Sequence, residues 1–149
     1  GMRVQYHDIV APGWVDFVAE PTSLETLLAE SDVVTLHVPL TDATRGMIDA
    51  AALRRFRPGA YLINTSRGAV VDDVALAEAL STGRLRGAAL DVVDPEPLPP
   101  DHPLLRAGHT LLTPHLGAKT QSSQVRMNAV VDDVIRVLKG QPPSYSAGE

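Results

Sequence analysis

Ala60-Tyr61-Leu62-Ile63-Asn64-Thr65-Ser66-Arg67-Gly68 is an apolar run that breaks into a polar turn carrying an arginine. Similar short, β-rich runs occur at 2–7, 32–37, 87–92 and 109–113, with a weaker one at 16–19. Their length and composition read as strands. Helical patterns separate them. Thr22-Ser23-Leu24-Glu25 reads as a capping box opening a helix with Leu24, Leu27 and Leu28 on one face. Asp49 caps a segment bearing Ala52, Leu53 and Phe56, stopped by Pro58-Gly59. Asp72-Asp73 places negative charge at the start of a helix over 74–82 that Gly83 ends. A long helix is expected over 121–139, stopped by Gly140 and Pro142-Pro143, and the polar tail 140–149 is expected to fray. Strands alternating with helices predict an α/β fold, a parallel sheet with helices on both faces. The unbroken apolar character of Val33-Val34-Thr35-Leu36 and Tyr61-Leu62-Ile63 fits strands buried on both sides.

In such sheets ligands sit beyond the carboxyl ends of the strands. Asp8, His37, Arg67, Asp91, Glu96 and His115 all fall at or just after strand ends, so residues spread through the chain converge on one rim. Three of them form a guanidinium, carboxylate and imidazole set. Arginine holds a carboxylate through two parallel hydrogen bonds. Histidine exchanges a proton near neutral pH, and a neighbouring glutamate orients it and raises its pKa. That set suits reduction of a keto acid, with Arg67 gripping the substrate, His115 donating the proton and Glu96 supporting His115.

The 149 residues are 44% hydrophobic and 21% charged, a globular composition large enough for one real core. The net charge of −5, with basic residues scattered, argues against a nucleic-acid or anionic-membrane partner. Arg54-Arg55-x-Arg57 is the only basic cluster and reads as a solvated helix end. The chain has no cysteine, which excludes disulfides, thiolate metal sites and cysteine nucleophiles. His102, His109 and His115 lack metal-ligand spacing, so no metal is expected. No apolar run nears the ~20 residues that cross a bilayer, and a cytoplasmic protein is the expectation.

Taken together, Leu36-His37-Val38-Pro39-Leu40-Thr41, Asn64-Thr65-Ser66-Arg67-Gly68, Asp91 with Glu96, and Thr113-Pro114-His115-Leu116-Gly117 resemble the D-isomer-specific 2-hydroxyacid dehydrogenases in order and spacing. The resemblance runs from Met2 to about Lys139. It implies a Rossmann-type domain over 1–139 that binds NAD and acts on a 2-keto or 2-hydroxy acid. It also implies catalytic Arg67, Glu96 and His115, and places Asp8, His37, Pro39, Thr65, Ser66, Asp91 and Gly117 around the cofactor. Asp8 would accept from the adenosine ribose hydroxyls and repel a 2′-phosphate, favouring NAD. His37 suits either a local backbone bond or a place beside the cofactor. Glu96 separates the chain from formate dehydrogenases, which carry Gln there and need no base for a hydroxyl proton.

Lys119 departs from the small or hydroxyl residues usual at its position and is expected to face solvent. The family's Gly-x-Gly-x-x-Gly is absent from the sequence, so the first βα unit is expected to be missing. In the order 3-2-1-4-5-6 its strand is central, and its loss would leave two unpaired edges. The pyrophosphate would lose its helix N-terminus. The expectation is a truncated dehydrogenase that binds cofactor poorly, is inactive alone and associates as a homodimer. A non-catalytic NAD-binding or oligomerisation module is the alternative.

Overall fold

A computed structural model describes residues 1–10 and 19–144. The weaker strand at 16–19 and Trp14, read from sequence as packing or dimer surface, lie wholly or largely outside the described residues. Two compact units are present, Gly1–Pro114 and His115–Glu149.

In the first unit the chain runs β1 (Val4–Tyr6), β2 (Ala19–Pro21), α1 (Leu24–Glu30), β3 (Val33–Leu36), α2 (Ala50–Arg55), β4 (Ala60–Asn64), α3 (Asp73–Ser81), β5 (Leu85–Leu90) and β6 (Thr110–Leu112). Every strand pairing is parallel. The strands form two sheets, β1-β2 and β3-β4-β5-β6. The Rossmann-type parallel sheet read from the sequence is therefore present as a partial domain. Among the described residues, the outer strands β1, β2, β3 and β6 each keep one edge without a strand partner.

The helices begin where side chains can cap them. Asp49 accepts from the Ala52 N–H at 2.7 Å. Asp72 accepts from Val74 and Ala75, at 3.1 and 3.0 Å. The cap of α1 is Ser23, which accepts from Thr26 at 3.1 Å, one residue later than the expected Thr22. The shift has a cause: Thr22 donates its N–H to Tyr6 O at 2.9 Å and is held by the end of β1. The Arg54-Arg55-x-Arg57 cluster is paired on the surface, Arg55 with Glu25 and Arg57 with Asp32. Arg84 donates to the carbonyls of Arg54 and Phe56, closing the end of α2.

The core lies on one face of the four-stranded sheet. Val34, Leu36, Leu62, Ala88 and Leu90 pack with Leu28, Leu53, Phe56, Leu76 and Leu80 of the helices. Successive strands are added in one direction, and right-handed crossovers then place their helices on the same side. For that reason the run Val33–Leu36, expected to be buried on both sides, alternates instead. On the opposite face Val33 is 49% exposed, Tyr61 41% and Leu111 63%.

In the second unit the single helix expected over 121–139 is divided at Ala129 into α4 (Gln121–Asn128) and α5 (Val130–Leu138). Asn128, a weak helix former, stands at the break. The start of the tail is tied down rather than frayed: Arg136 Nε donates to Pro142 O at 2.9 Å, and the Ser144 N–H to Asp133 Oδ1 at 2.6 Å. Among the described residues no helix is long and apolar enough to cross a membrane.

Phe56 is fully buried beneath the sheet. Phe56→Ala is expected to lower unfolding free energy by about 3–5 kcal/mol, through lost burial and a residual cavity, measured by urea denaturation.

Candidate active site

The turn after β4 is organised by one buried amide. Asn64 Oδ1 accepts from the Ser66 N–H at 3.0 Å and from the Ser66 hydroxyl at 2.8 Å, while its Nδ2 donates to Arg67 O at 3.0 Å. This turns the chain sharply and leaves Ser66 buried, with Thr65 and Arg67 exposed on either side. Arg67 Nη1 donates to Ser66 O at 2.7 Å. The end of β3 lies alongside, because Leu36 and Asn64 are register partners. The result is an open cleft of about 550 Å³ lined by His37, Val38, Pro39, Leu40, Thr65, Ser66 and Arg67. Five residues singled out from the sequence thus share one cleft. His37 Nε2 also lies 2.9 Å from the Thr35 hydroxyl, so its local partner is a side chain rather than backbone.

Asp91 follows the same rim. Its N–H donates to Asn64 O at 2.9 Å, and the Thr113 hydroxyl donates to its carboxylate. It is 9% exposed. Glu96 lies further along, on the exposed proline-rich loop that Asp91 begins.

That loop is joined to the arginine turn by backbone contact. A Cβ added at Gly68 would stand 2.1 Å from both C and O of Val93 and 2.7 Å from Asp94 N. Only hydrogen fits there. Asp73, in the first turn of α3, accepts the Asp94 N–H at 3.0 Å. Burial pushes the Asp73 carboxyl up from its ordinary 3.8 to about 6, opposed by the Asp94 N–H and the nearby His102 and reinforced by Asp94 and Asp72.

His115 opens the second unit with a φ of 52°, a left-handed conformation uncommon for a residue with a side chain. A turn follows, in which the Lys119 N–H donates to Leu116 O at 2.8 Å around Gly117. Lys119 is exposed, and Thr120 caps α4 by accepting from Ser123 at 3.1 Å. Asp8, at the end of β1, accepts the Val10 N–H at 3.0 Å. His7 Nδ1 stands 3.1 Å from Thr22 O. Among the described residues no group of three potential ligands is placed to hold a metal ion.

Residues 1–117 match the family described as D-isomer specific 2-hydroxyacid dehydrogenase, NAD binding domain. The chain belongs to that family.

Among its dehydrogenase relatives, the glyoxylate reductase of Thermofilum pendens is 44% identical over 146 residues, covering 95% of this chain and 43% of the relative. The (S)-sulfolactate dehydrogenase of Chromohalobacter salexigens is 43% identical over 143 residues, covering 93% and 46%. The crystal structure of D-lactate dehydrogenase with NAD+ from Lactobacillus jensenii superimposes with a TM-score of 0.90 at 27% identity, covering 99% of this chain and 48% of that one. The chain spans less than half the length of these three proteins.

NAD, the cofactor expected from the sequence, is the ligand of this family's domain. The residues present fit part of it. A polar cleft at the ends of β3 and β4, with a buried carboxylate at Asp91 beside it, suits ribose and carboxamide groups that both donate and accept. The pyrophosphate would need backbone donors of a kind that the sequence, lacking Gly-x-Gly-x-x-Gly, does not offer in the usual form.

Sequence reading placed none of Asn64, Gly68 and Asp73 among the site residues, yet all three build the site. Asn64 had a local signal, an Asn two residues before a Ser at a strand end, the pattern of an Asx turn. Gly68 and Asp73 act on Val93 and Asp94, more than twenty positions away, and nothing local announces that contact.

The pH dependence of Asp73 has the opposite sign to that of a salt-bridged carboxylate. The folded chain holds this proton more tightly than the unfolded chain, so Asp73 withdraws stability as pH rises from about 4 through about 6. Asp73→Asn is expected to flatten that slope. Urea melts should find the variant the more stable form at pH 8, by on the order of 2 kcal/mol, with the gain shrinking towards pH 4.

Proposed function

We propose that the protein is the cofactor-side part of an NAD-dependent reductase of 2-keto acids, working on the CH–OH group of a D-2-hydroxy acid in the reverse direction. The observation that carries this reading is the shared cleft of His37, Pro39, Thr65, Ser66 and Arg67, with Asp91 hydrogen-bonded to the same turn. Arg67 binds the substrate carboxylate through paired hydrogen bonds. His115 gives its proton to the carbonyl oxygen as C2 is reduced and recovers it in the opposite direction. Glu96 is the residue that supports His115 in this role. NAD, when bound, supplies or accepts the hydride. Asp8 takes the adenosine ribose, and Asp91 faces the nicotinamide. Relatives acting on glyoxylate and on sulfolactate support a small keto acid as the substrate class.

Two further parts belong to this proposal. The 149-residue chain on its own binds NAD weakly and turns over little, because the phosphate loop is not in its sequence. It associates as a homodimer through the strand edges of β1 and β3 and the uncovered sheet face. Sedimentation at increasing concentration should show self-association, and a monomer throughout would overturn that part.

Titration of the chain with NADH, read by calorimetry, should give weak or no binding; tight saturable binding would mean that the phosphate site is completed in another way. In a protein that carries these residues together with a phosphate loop, glyoxylate-dependent NADH oxidation is the assay. There His115→Ala should lower kcat by roughly 10²–10⁴-fold. Arg67→Lys should mainly raise KM for the keto acid and leave NADH affinity intact. Near-normal turnover by the His115 variant would sink the assignment.

A further inference from the structure

Two loops carry Arg67 and Glu96, the residues assigned to hold the substrate and to support the proton donor, and α3 stands behind both. Arg67 precedes Gly68, whose missing side chain lets Val93 and Asp94 pass within 2.1–2.7 Å of where a Cβ would lie. Asp94 lies two residues before Glu96, and its N–H is held at 3.0 Å by Asp73. The far end of the same loop returns to α3 through the short helical turn Pro103–Leu105, where Leu104 is buried and His102 accepts the Leu104 N–H through Nδ1 at 3.3 Å. The segment bearing Glu96 is therefore fastened at both ends to one helix.

Asp73 is an unusual choice for such a fastening. It is 5% exposed and follows Asp72, which already caps the helix, so α3 does not need it as a cap. The charged groups around it are Asp72 on its own helix and Asp94 and His102 on the loop. An amide would satisfy the same N–H without a buried charge. What a carboxylate adds is the extra strength of a charged acceptor for a backbone donor.

We propose that Asp73 is a positioning residue whose carboxylate, by accepting the Asp94 N–H, sets the Glu96 loop against the Arg67 turn at the Gly68–Val93 contact. This rests on the reading of Arg67 and Glu96 as site residues. Movement of Asp94 is transmitted in two directions, along the chain to Glu96 and across the backbone contact to Gly68. Both halves of the site are thus registered from a residue that touches neither substrate nor cofactor.

The test needs no ligand. Amide resonances of the 15N-labelled 149-residue chain are followed from pH 4.5 to 8 in the wild type, Asp73→Asn and Asp73→Ala. In the wild type the Asp94, Glu96 and Gly68 amides should move together, with one midpoint near 6. In the Asn variant they should stay near their wild-type positions and lose that titration. In the Ala variant all three should be displaced while Leu62 and Leu76 keep their core shifts. Rescue by Asn but not by Ala separates positioning from general support. A response confined to Asp94, with Glu96 and Gly68 unmoved, would overturn the proposal. Should the Ala variant fail to fold, the wild-type titration and the Asn variant decide by the same criterion. Near-normal turnover by the His115→Ala variant of a protein that also carries the phosphate loop overturns the proposed function and leaves these shifts unchanged, so the two failures are distinguishable.

Discussion

Parallel strands cannot be joined by tight turns, and this constraint governs the first unit of the protein. Each return from the carboxyl end of one strand to the amino end of the next must cross the sheet, and handedness sends those crossings to one side. Two results follow. The core collects on the face that receives α1, α2 and α3, centred on Phe56, Leu62 and Leu76. The strand ends all emerge on one rim, where His37, Arg67, Asp91 and Thr113 stand at successive positions across β3, β4, β5 and β6. Chemistry at that rim is a by-product of connectivity before it is a matter of particular side chains.

The rim is then stiffened by polar contacts of short reach. Asn64 ties three positions of its own turn, and its carbonyl receives the Asp91 N–H, so the ends of β4 and β5 are locked in register. The Thr113 hydroxyl extends the same network to the end of β6. These groups are buried or half-buried, where an unmade hydrogen bond costs about 1–3 kcal/mol. The surface ion pairs around α2 are exposed and contribute little by comparison. Order in the site therefore comes from satisfied amides and hydroxyls more than from charge pairing.

Strands and helix starts were legible because their signals are local. The apolar runs at 32–37 and 60–65, the cap at Asp49 and the helix-start charge at Asp72 need only neighbours within four residues to be recognised. Motif order made His37, Pro39, Thr65, Ser66 and Arg67 readable as a group, and they share one cleft. What escaped depended on distant partners. Thr22 looked like the cap of α1 until Tyr6 took its N–H. Val33 and Tyr61 looked buried on composition, since β-branched and aromatic residues suit either side of a sheet. The break at Ala129 lies inside a pattern whose helical period continues across it. Asp73 read as a helix-start charge, whereas its acceptor role is set by a loop twenty-one residues on.

The pair β1-β2 differs from the rest of the unit in how it is held. Each strand has three residues, and the side-chain contacts around β1, Arg3 with Glu20 and Glu30 and Gln5 with Glu30, are exposed, while the half-buried Thr22 N–H donates to Tyr6 O. In general, elements held by short ladders and exposed contacts are the ones that open before a larger sheet does. Asp8 follows β1 and accepts the Val10 N–H. On the proposed reading, a ribose held at Asp8 would put some of its interaction energy into ordering β1, so that occupancy at that end would also stabilise the β1-β2 pair.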